Sequence, residues 1–254
     1  MAKPNLFILG AGKCGTTSLY HLLERHPEIK VSAVKEPSFF CSHFQVISNP
    51  VTYFGLFGSD RKYRVDASHV YFSNPETAPI LASLFPEAKF ILALRDPKAR
   101  ALSLYQQMRR AVHADGQPME LAECFHSALA LEAERFASPA FRQNCRHYFW
   151  NFMYMRSSIY DEQLARYLRF YPRERFLVTS LAELRTNPAG VVQSIAEFLE
   201  LDSAGFGDGI PYANVAPAYD ADFAPESLAL MDAQFGDLTE RVDRLVGRAL
   251  DWSL

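Results

Sequence analysis

The chain has 254 residues, 49% of them hydrophobic, with 26 lysines and arginines against 29 aspartates and glutamates for a formal charge of −3. That length suits one large core in one or two domains, and the acid-leaning balance argues against a nucleic-acid or anionic-membrane surface spread over the whole molecule. The four cysteines, Cys14, Cys41, Cys124 and Cys145, stand far apart with no C-x-x-C, which indicates neither a zinc site nor a disulfide framework.

The first element is a short apolar run, Leu6 to Leu9, bounded by turn residues and predicted to be a buried strand. Gly10, Gly12 and Gly15 follow with Lys13 among them. Thr16, Thr17 and Ser18 then lead into an amphipathic helix with Leu19, Leu22 and Leu23 on one face. Strand, glycine-rich loop and helix N-terminus together make an anion site, because consecutive amides converge and the first helical turn has unpaired donors. A nucleoside-triphosphate loop, G-x-x-x-x-G-K-[ST], needs lysine directly after its last glycine. Here Thr16 holds that place and the lysine lies inside the loop. A G-x-G-x-x-G reading fails because Gly15 stands one residue early. The arrangement G-x-x-K-x-G-T-T resembles the 5′-phosphosulfate loop of sulfotransferases that use 3′-phosphoadenosine-5′-phosphosulfate (PAPS). The resemblance implies a donor held by Gly12, Lys13, Cys14, Gly15, Thr16, Thr17 and Ser18. It also implies that Lys13 neutralises charge on the bridging oxygen as the bond to sulfur breaks. Read without the resemblance, the segment is a glycine-rich turn with an exposed lysine.

The helix is expected to stop near Arg25-His26-Pro27, followed by a strand over Ile29 to Val34 that runs into Lys35-Glu36-Pro37-Ser38-Phe39-Phe40. A carboxylate just past a strand's C-terminal end sits where open α/β sheets bind ligands. Relatives carry E-x-x-F-F here, which implies that Glu36 is the general base on the acceptor; a surface Lys-Glu pair is the plainer reading. Tyr53, Phe54 and Phe57 form a helical turn or packed lid. Arg64-Val65-Asp66 is a short strand, and His69 follows it. Heparan-type relatives resemble this chain here with E-K-S-x-x-Y-F, but their second catalytic lysine is Ala67 in this sequence. His69 is a catalytic candidate facing the acceptor, against the plain role of a hydrogen-bonded loop histidine.

A helix over Pro75 to Phe85 precedes a buried strand, Phe90 to Leu94, and then Arg95-Asp96-Pro97. Asp96 is predicted to cap the next helix with Pro97 in its first position. Arg100 and Ser103 share a face of that helix. R-D-P-x-x-R-x-x-S-x-Y resembles the family's 3′-phosphate motif, which implies Arg95 and Ser103 as ligands through charge-assisted hydrogen bonds. A Walker B aspartate at Asp96 is the rival, weakened by the missing Walker lysine. Met119 to Glu134 is expected to be helical. The aromatic stretch Phe141 to Met155, among Arg142, Arg146 and Arg156, reads first as core and, by the resemblance, as the variable region that sets acceptor specificity. Further helices are expected from Ile159 to Phe170 and from Glu183 to Leu201, the latter broken at Asn187-Pro188, with a last strand over Arg175 to Thr179. Pro225 to Leu250 reads as one or two terminal helices. Relatives place a basic stretch in the 205–225 region, whereas no lysine or arginine lies between Arg185 and Arg241 here.

The expectation is a single domain over 1–254, α/β in class: a P-loop-like three-layer α/β/α fold on a central parallel sheet. Residues 137–160 and 203–225 are its variable acceptor or cap segments. The function expected is sulfuryl transfer from PAPS, leaving 3′,5′-adenosine bisphosphate (PAP), to an acceptor hydroxyl or amine, with no metal. Phe39, Phe40, Phe44, Tyr53, Phe54, Phe57, Tyr71 and Phe72 suggest apolar walls for a small or amphiphilic acceptor, such as a natural product, lipid or glycan. The alternatives are a P-loop kinase or NTPase and a nucleotide-binding module without turnover. The first strand begins within a few residues of the N-terminus and no apolar run reaches membrane length, so a cytoplasmic protein without a signal segment is expected.

Overall fold

The computed structural model describes residues 2–58, 60–145, 147–211 and 223–253. Five strands, β1 (Leu6–Gly10), β2 (Ile29–Val31), β3 (Tyr63–Asp66), β4 (Lys89–Leu94) and β5 (Phe176–Ser180), form one sheet in the order β2-β3-β1-β4-β5. Every neighbouring pair is parallel, with Leu6 opposite both Val65 and Lys89 and Phe90 opposite Phe176. Parallel strands need helical crossovers, and the helices cover both faces. That is why Leu6 to Leu9 and Phe90 to Leu94 are apolar without alternation and have no exposed surface. Helix α1 (Thr16–Arg25) packs on β1 and β2, and Leu181–Thr186 and Pro188–Leu199 pack on β5. Val70–Ser73 packs on β1, with Tyr160–Leu168 against it and Leu238–Val246 outside that. The result is the three-layer α/β/α fold expected from the sequence.

The chain crosses from β3 past β1 to β4, so the strand order reverses at β1. Gly10, Asp66 and Leu94 therefore end side by side at the edge where such sheets bind ligands. Two expected elements are shorter than the sequence suggests. β2 stops at Val31, and the chain beyond it turns out of the sheet with Glu36 and Ser38 at positive φ, 61° and 53°. The helix expected over Met119 to Glu134 is instead two short helices, Phe125–Ala130 and Glu132–Ala137. The amides of Met119 and Glu120 bond to Ala111 and Met108 at the end of the helix Pro97–Arg110, at 2.9 and 3.1 Å, which holds that stretch extended. Residues 212–222 of the expected 203–225 segment, and Arg146, lie outside the described residues.

Candidate active site

The loop after β1 is shaped by its backbone. Gly10 and Gly15 take φ of 139° and 89°, and Lys13 is held at 74°, a left-handed conformation that non-glycine residues enter at a cost. Gly15 caps α1 in that conformation, and no acidic residue lies in the first turn. The first intrahelical bond runs from Leu19 to Gly15 at 3.1 Å, so the amides of Thr16, Thr17 and Ser18 precede the helical ladder. Cys14 turns inward: it is fully buried, its amide bonds to Ala11 at 3.2 Å, and its sulfur lies 4.0 Å from Tyr160 Oη.

The cations around this loop repel one another. Burial, and then the charges of Arg110, Arg95 and Arg100, push the Lys13 ammonium below its usual range. Burial likewise lowers Arg95, whose Nε is buried without a hydrogen-bond partner. Among the described residues neither Lys13 nor Arg95 forms an ion pair with a carboxylate. A cradle of amides, a helix N-terminus and uncompensated cations fits a polyanionic group. Arg95 leaves β4 where Asp96 accepts from the Ala99 amide at 2.7 Å and Pro97 opens the helix Pro97–Arg110, as the sequence predicts. Arg100, on that helix, is a brace: its Nε donates to Gly12 O at 3.0 Å and its Nη1 to Ser157 and Ser158, both at 2.8 Å. Ser103 is buried one turn further along the same face.

Glu36 and His69 meet across the loop. His69 Nδ1 contacts Glu36 Oε2, and Lys35 Nζ lies 2.5 Å from Oε1. Burial raises the Glu36 carboxyl, but His69 and then Lys35 outweigh it and hold it at about 2. The other edge of His69 lies against the loop. A Cβ at Gly12 would come within 2.7 Å of His69 Cδ2 and 3.2 Å of Nε2, so a side chain there would push the ring aside. Lys13, Glu36, His69 and Arg95 are thus gathered at the ends of β1, β3 and β4.

A buried node positions this pair, and the sequence reading missed it. Asp66, at the end of β3, has no exposed surface and accepts from Tyr53 at 2.7 Å, Tyr71 at 3.0 Å and Ser68 at 2.6 Å. Ser68 in turn accepts the Ser38 amide at 3.0 Å, which ties the Glu36 turn to β3. Burial pushes Asp66 up to about 6 despite those bonds. Tyr53, Tyr71, Phe40, Phe57 and Phe72 are at most 5% exposed. These five rings, expected to wall an acceptor cleft, are core around Asp66, because two of their hydroxyls are spent on its carboxylate. Phe39, Phe44 and Phe54 keep partial exposure. Tyr148, Phe149, Phe152, Met153 and Tyr154 are likewise buried, in agreement with the core reading of that stretch. Asp66 carries no motif that marks it; only its place at a strand end hints at a role.

The family model described as sulfotransferase domain matches residues 3–208. The chain belongs to the sulfotransferase domain family. A sulfotransferase from Alicyclobacillus acidocaldarius has the same fold, with a TM-score of 0.78 and 29% identity over 98% of this chain and 97% of that one. A mouse sulfotransferase complexed with PAP shares the fold at 15% identity, with a TM-score of 0.59 over 96% of this chain and 87% of the other. The human bifunctional heparan sulfate N-deacetylase/N-sulfotransferase 2 is 28% identical over 207 residues, which are 77% of this chain and 22% of that protein. The chain therefore spans about a fifth of that relative's length. Among the described residues no helix is long and apolar enough to cross a membrane.

Proposed function

We propose that this sulfotransferase moves the sulfuryl group of PAPS onto the hydroxyl or amine of a small or amphiphilic acceptor. The observation that carries the donor reading is the pair of cations without a carboxylate partner among the described residues, Lys13 and Arg95, beside an amide-lined loop whose lysine lies inside it and not after its last glycine. The PAP held by the mouse sulfotransferase of the same fold supports the choice of nucleotide. The amides of the Gly12–Ser18 loop, with Thr16 and Thr17, hold the 5′-phosphate, and Arg95 with Ser103 grips the 3′-phosphate. The acceptor heteroatom attacks sulfur in line as the bond to the bridging oxygen breaks. Lys13 neutralises the charge that gathers on that oxygen, and PAP departs.

The proton leaves through the Glu36–His69 pair. Glu36, held at about 2, is a weak base by itself, and its contact with Nδ1 leaves Nε2 of His69 facing the loop. Glu36 orients the ring and His69 Nε2 takes the acceptor proton. The second reading, direct proton transfer to Glu36, is favoured by its place on the turn beside Phe39. The pH profile tests the second reading: a carboxylate base held at about 2 gives a rate that stays flat down to about pH 4, and a rate that falls well above that pH rejects it. On the acceptor side Phe44 packs on His147 with ring centroids 5.0 Å apart, and His147 lies within electrostatic reach of His69. Phe44, with the partly exposed Phe39 and Phe54, offers the apolar surface for such an acceptor. The 137–160 segment is the acceptor wall of a single domain.

Calorimetry with PAP, 5′-AMP and ATP, with and without magnesium, tests the donor. PAP is expected to bind more tightly than 5′-AMP by more than about 1 kcal/mol, the scale of a charge-assisted contact. Equal binding of the two removes the reading, and tight magnesium-dependent ATP binding replaces it with a kinase. A screen of phenols, sterols and glycolipids against heparosan-type chains tests the acceptor, and turnover on the polysaccharide alone rejects a small one.

A further inference from the structure

The turn that carries Glu36 leads into a cluster of donor atoms that sulfuryl transfer does not use. Cys41, His43 and Glu76 each bring one ligand-type atom to a common point, and these atoms all lie within 4.8 Å of one another. Cys41 and His43 come from the loop after β2, and Glu76 from the turn that opens the helix Thr77–Leu84. The Cys41 sulfur is 3.8 Å from His43 Nδ1 and 3.9 Å from Nε2. Such a separation is a few tenths of an ångström wider than the edge, about 3.5 Å, of a tetrahedral shell with bonds of about 2.3 Å to sulfur and about 2.0 Å to nitrogen, so a cation would draw the two donors slightly together. We infer that Cys41, His43 and Glu76 form a binding site for a thiophilic divalent cation, zinc by its donor set, with a fourth position open to water.

The donors are of the kinds that zinc accepts: thiolate, imidazole and carboxylate. One thiolate and one carboxylate balance the two positive charges, and the imidazole binds neutral. The outer shell is oriented for the same purpose. Glu76 Oε1 takes the Ser42 amide and hydroxyl, each at 2.7 Å, and Asn74 Nδ2 at 3.2 Å, which leaves Oε2 for the cation. The His43 ring is stacked on Tyr148, with centroids 5.5 Å apart and planes 17° apart, and Tyr148 is itself anchored to Val70 O at 2.7 Å. Burial, and then the Glu76 carboxylate, push the Cys41 thiol up to about 12 in spite of the Phe44 and His43 amides, so the metal-free site holds a thiol and a cation would have to displace its proton. Cys41 is buried and His43 exposed, so a cation enters from solvent on the histidine side. A search for C-x-x-C overlooks this set, because the third ligand comes from a different crossover. A cation there clips the loop that bears Glu36 to the segment that follows His69.

The test uses the full chain stripped of metal and titrated with cobalt(II), then zinc. One cobalt per chain is expected, with a thiolate-to-cobalt charge-transfer band in the near ultraviolet that zinc displaces, and zinc is expected to raise the thermal midpoint. Cys41→Ser should remove the band, and Cys124→Ser and Cys145→Ser should leave it. Because Cys41 is buried, His43→Ala and Glu76→Gln carry the decision: each should weaken zinc binding by about tenfold or more. Absence of binding, a band that survives Cys41→Ser, or zinc affinity unchanged in His43→Ala overturns the site.

Discussion

The donor and acceptor sides proposed for this chain differ in how far the protein satisfies its own charges. On the donor side Lys13 and Arg95 have no carboxylate partner among the described residues, and Arg95 Nε is buried without any partner. On the acceptor side charges are already paired. Glu36 is bound by His69 and Lys35. Glu120, fully buried, takes a two-point bond from Arg135 at 2.6 and 2.7 Å and the Tyr154 hydroxyl at 2.5 Å. Arg142 lies over Phe149 at 4.6 Å and Arg156 over Phe136 at 4.1 Å, so these arginines are held on rings of their own segment. A partly buried cation without a counter-charge gains from an anion, which is what the proposed donor site would supply. The acceptor side is complete without one, which is why its charges say little about what it binds.

Substitutions can break that contrast. Lys13→Ala is expected to have the largest effect, a fall in turnover of about 10² to 10³, the range for removing one stabiliser of developing charge. Single-turnover rates measure it, and a loss below tenfold would leave the donor cations without a catalytic role. Glu36→Gln should lower turnover by about a hundredfold while PAP affinity stays constant by calorimetry, because the pair faces the acceptor. Loss of PAP binding in that variant would merge the two sides. Arg95→Ala should weaken PAP by about tenfold, leave 5′-AMP nearly unchanged and so erase the preference between them. Gly12→Ala should cost a few-fold in turnover, since the new methyl would meet His69 at 2.7 Å and the ring can yield.

The smallest effect is on stability against pH, and it contrasts two carboxylates. Glu36 is held at about 2, below the unfolded value of about 4.3, so the stability it contributes is present above that value and lost as pH falls toward 2. Asp66 is raised to about 6 from about 3.9, so its contribution is present at low pH and lost as pH rises through 6. Urea midpoints measured from pH 3 to 7 (roughly the window the two groups span) should show the lower rise vanish in Glu36→Gln and the upper decline vanish in Asp66→Asn. A decline that survives in Asp66→Asn would assign it to another group.

Much of the site was legible in the chain because its parts are local. The loop from Gly10 to Ser18 needs only glycine torsions, one lysine and a helix start, all within one stretch of backbone. The cap at Asp96 and the proline after it are local in the same way. Lys13, Glu36 and Arg95 stand out because each follows a strand, and parallel strands deliver their C-terminal ends to one edge. The aromatic residues were not legible in this manner. A tyrosine near a strand end reads alike whether it walls a pocket or spends its hydroxyl on a buried aspartate.

Sequence alone determined the parallel α/β fold, the glycine-rich loop before its helix and the capped helix of this chain, because backbone torsion and hydrophobic periodicity act over a few neighbouring residues. Tertiary structure alone decided that Arg100 braces Gly12, that Asp66 gathers Tyr53, Tyr71 and Ser68, and that His69 meets Glu36. Each of those contacts joins different crossovers, and a buried charge finds its partner by proximity in space, which no spacing along the chain encodes.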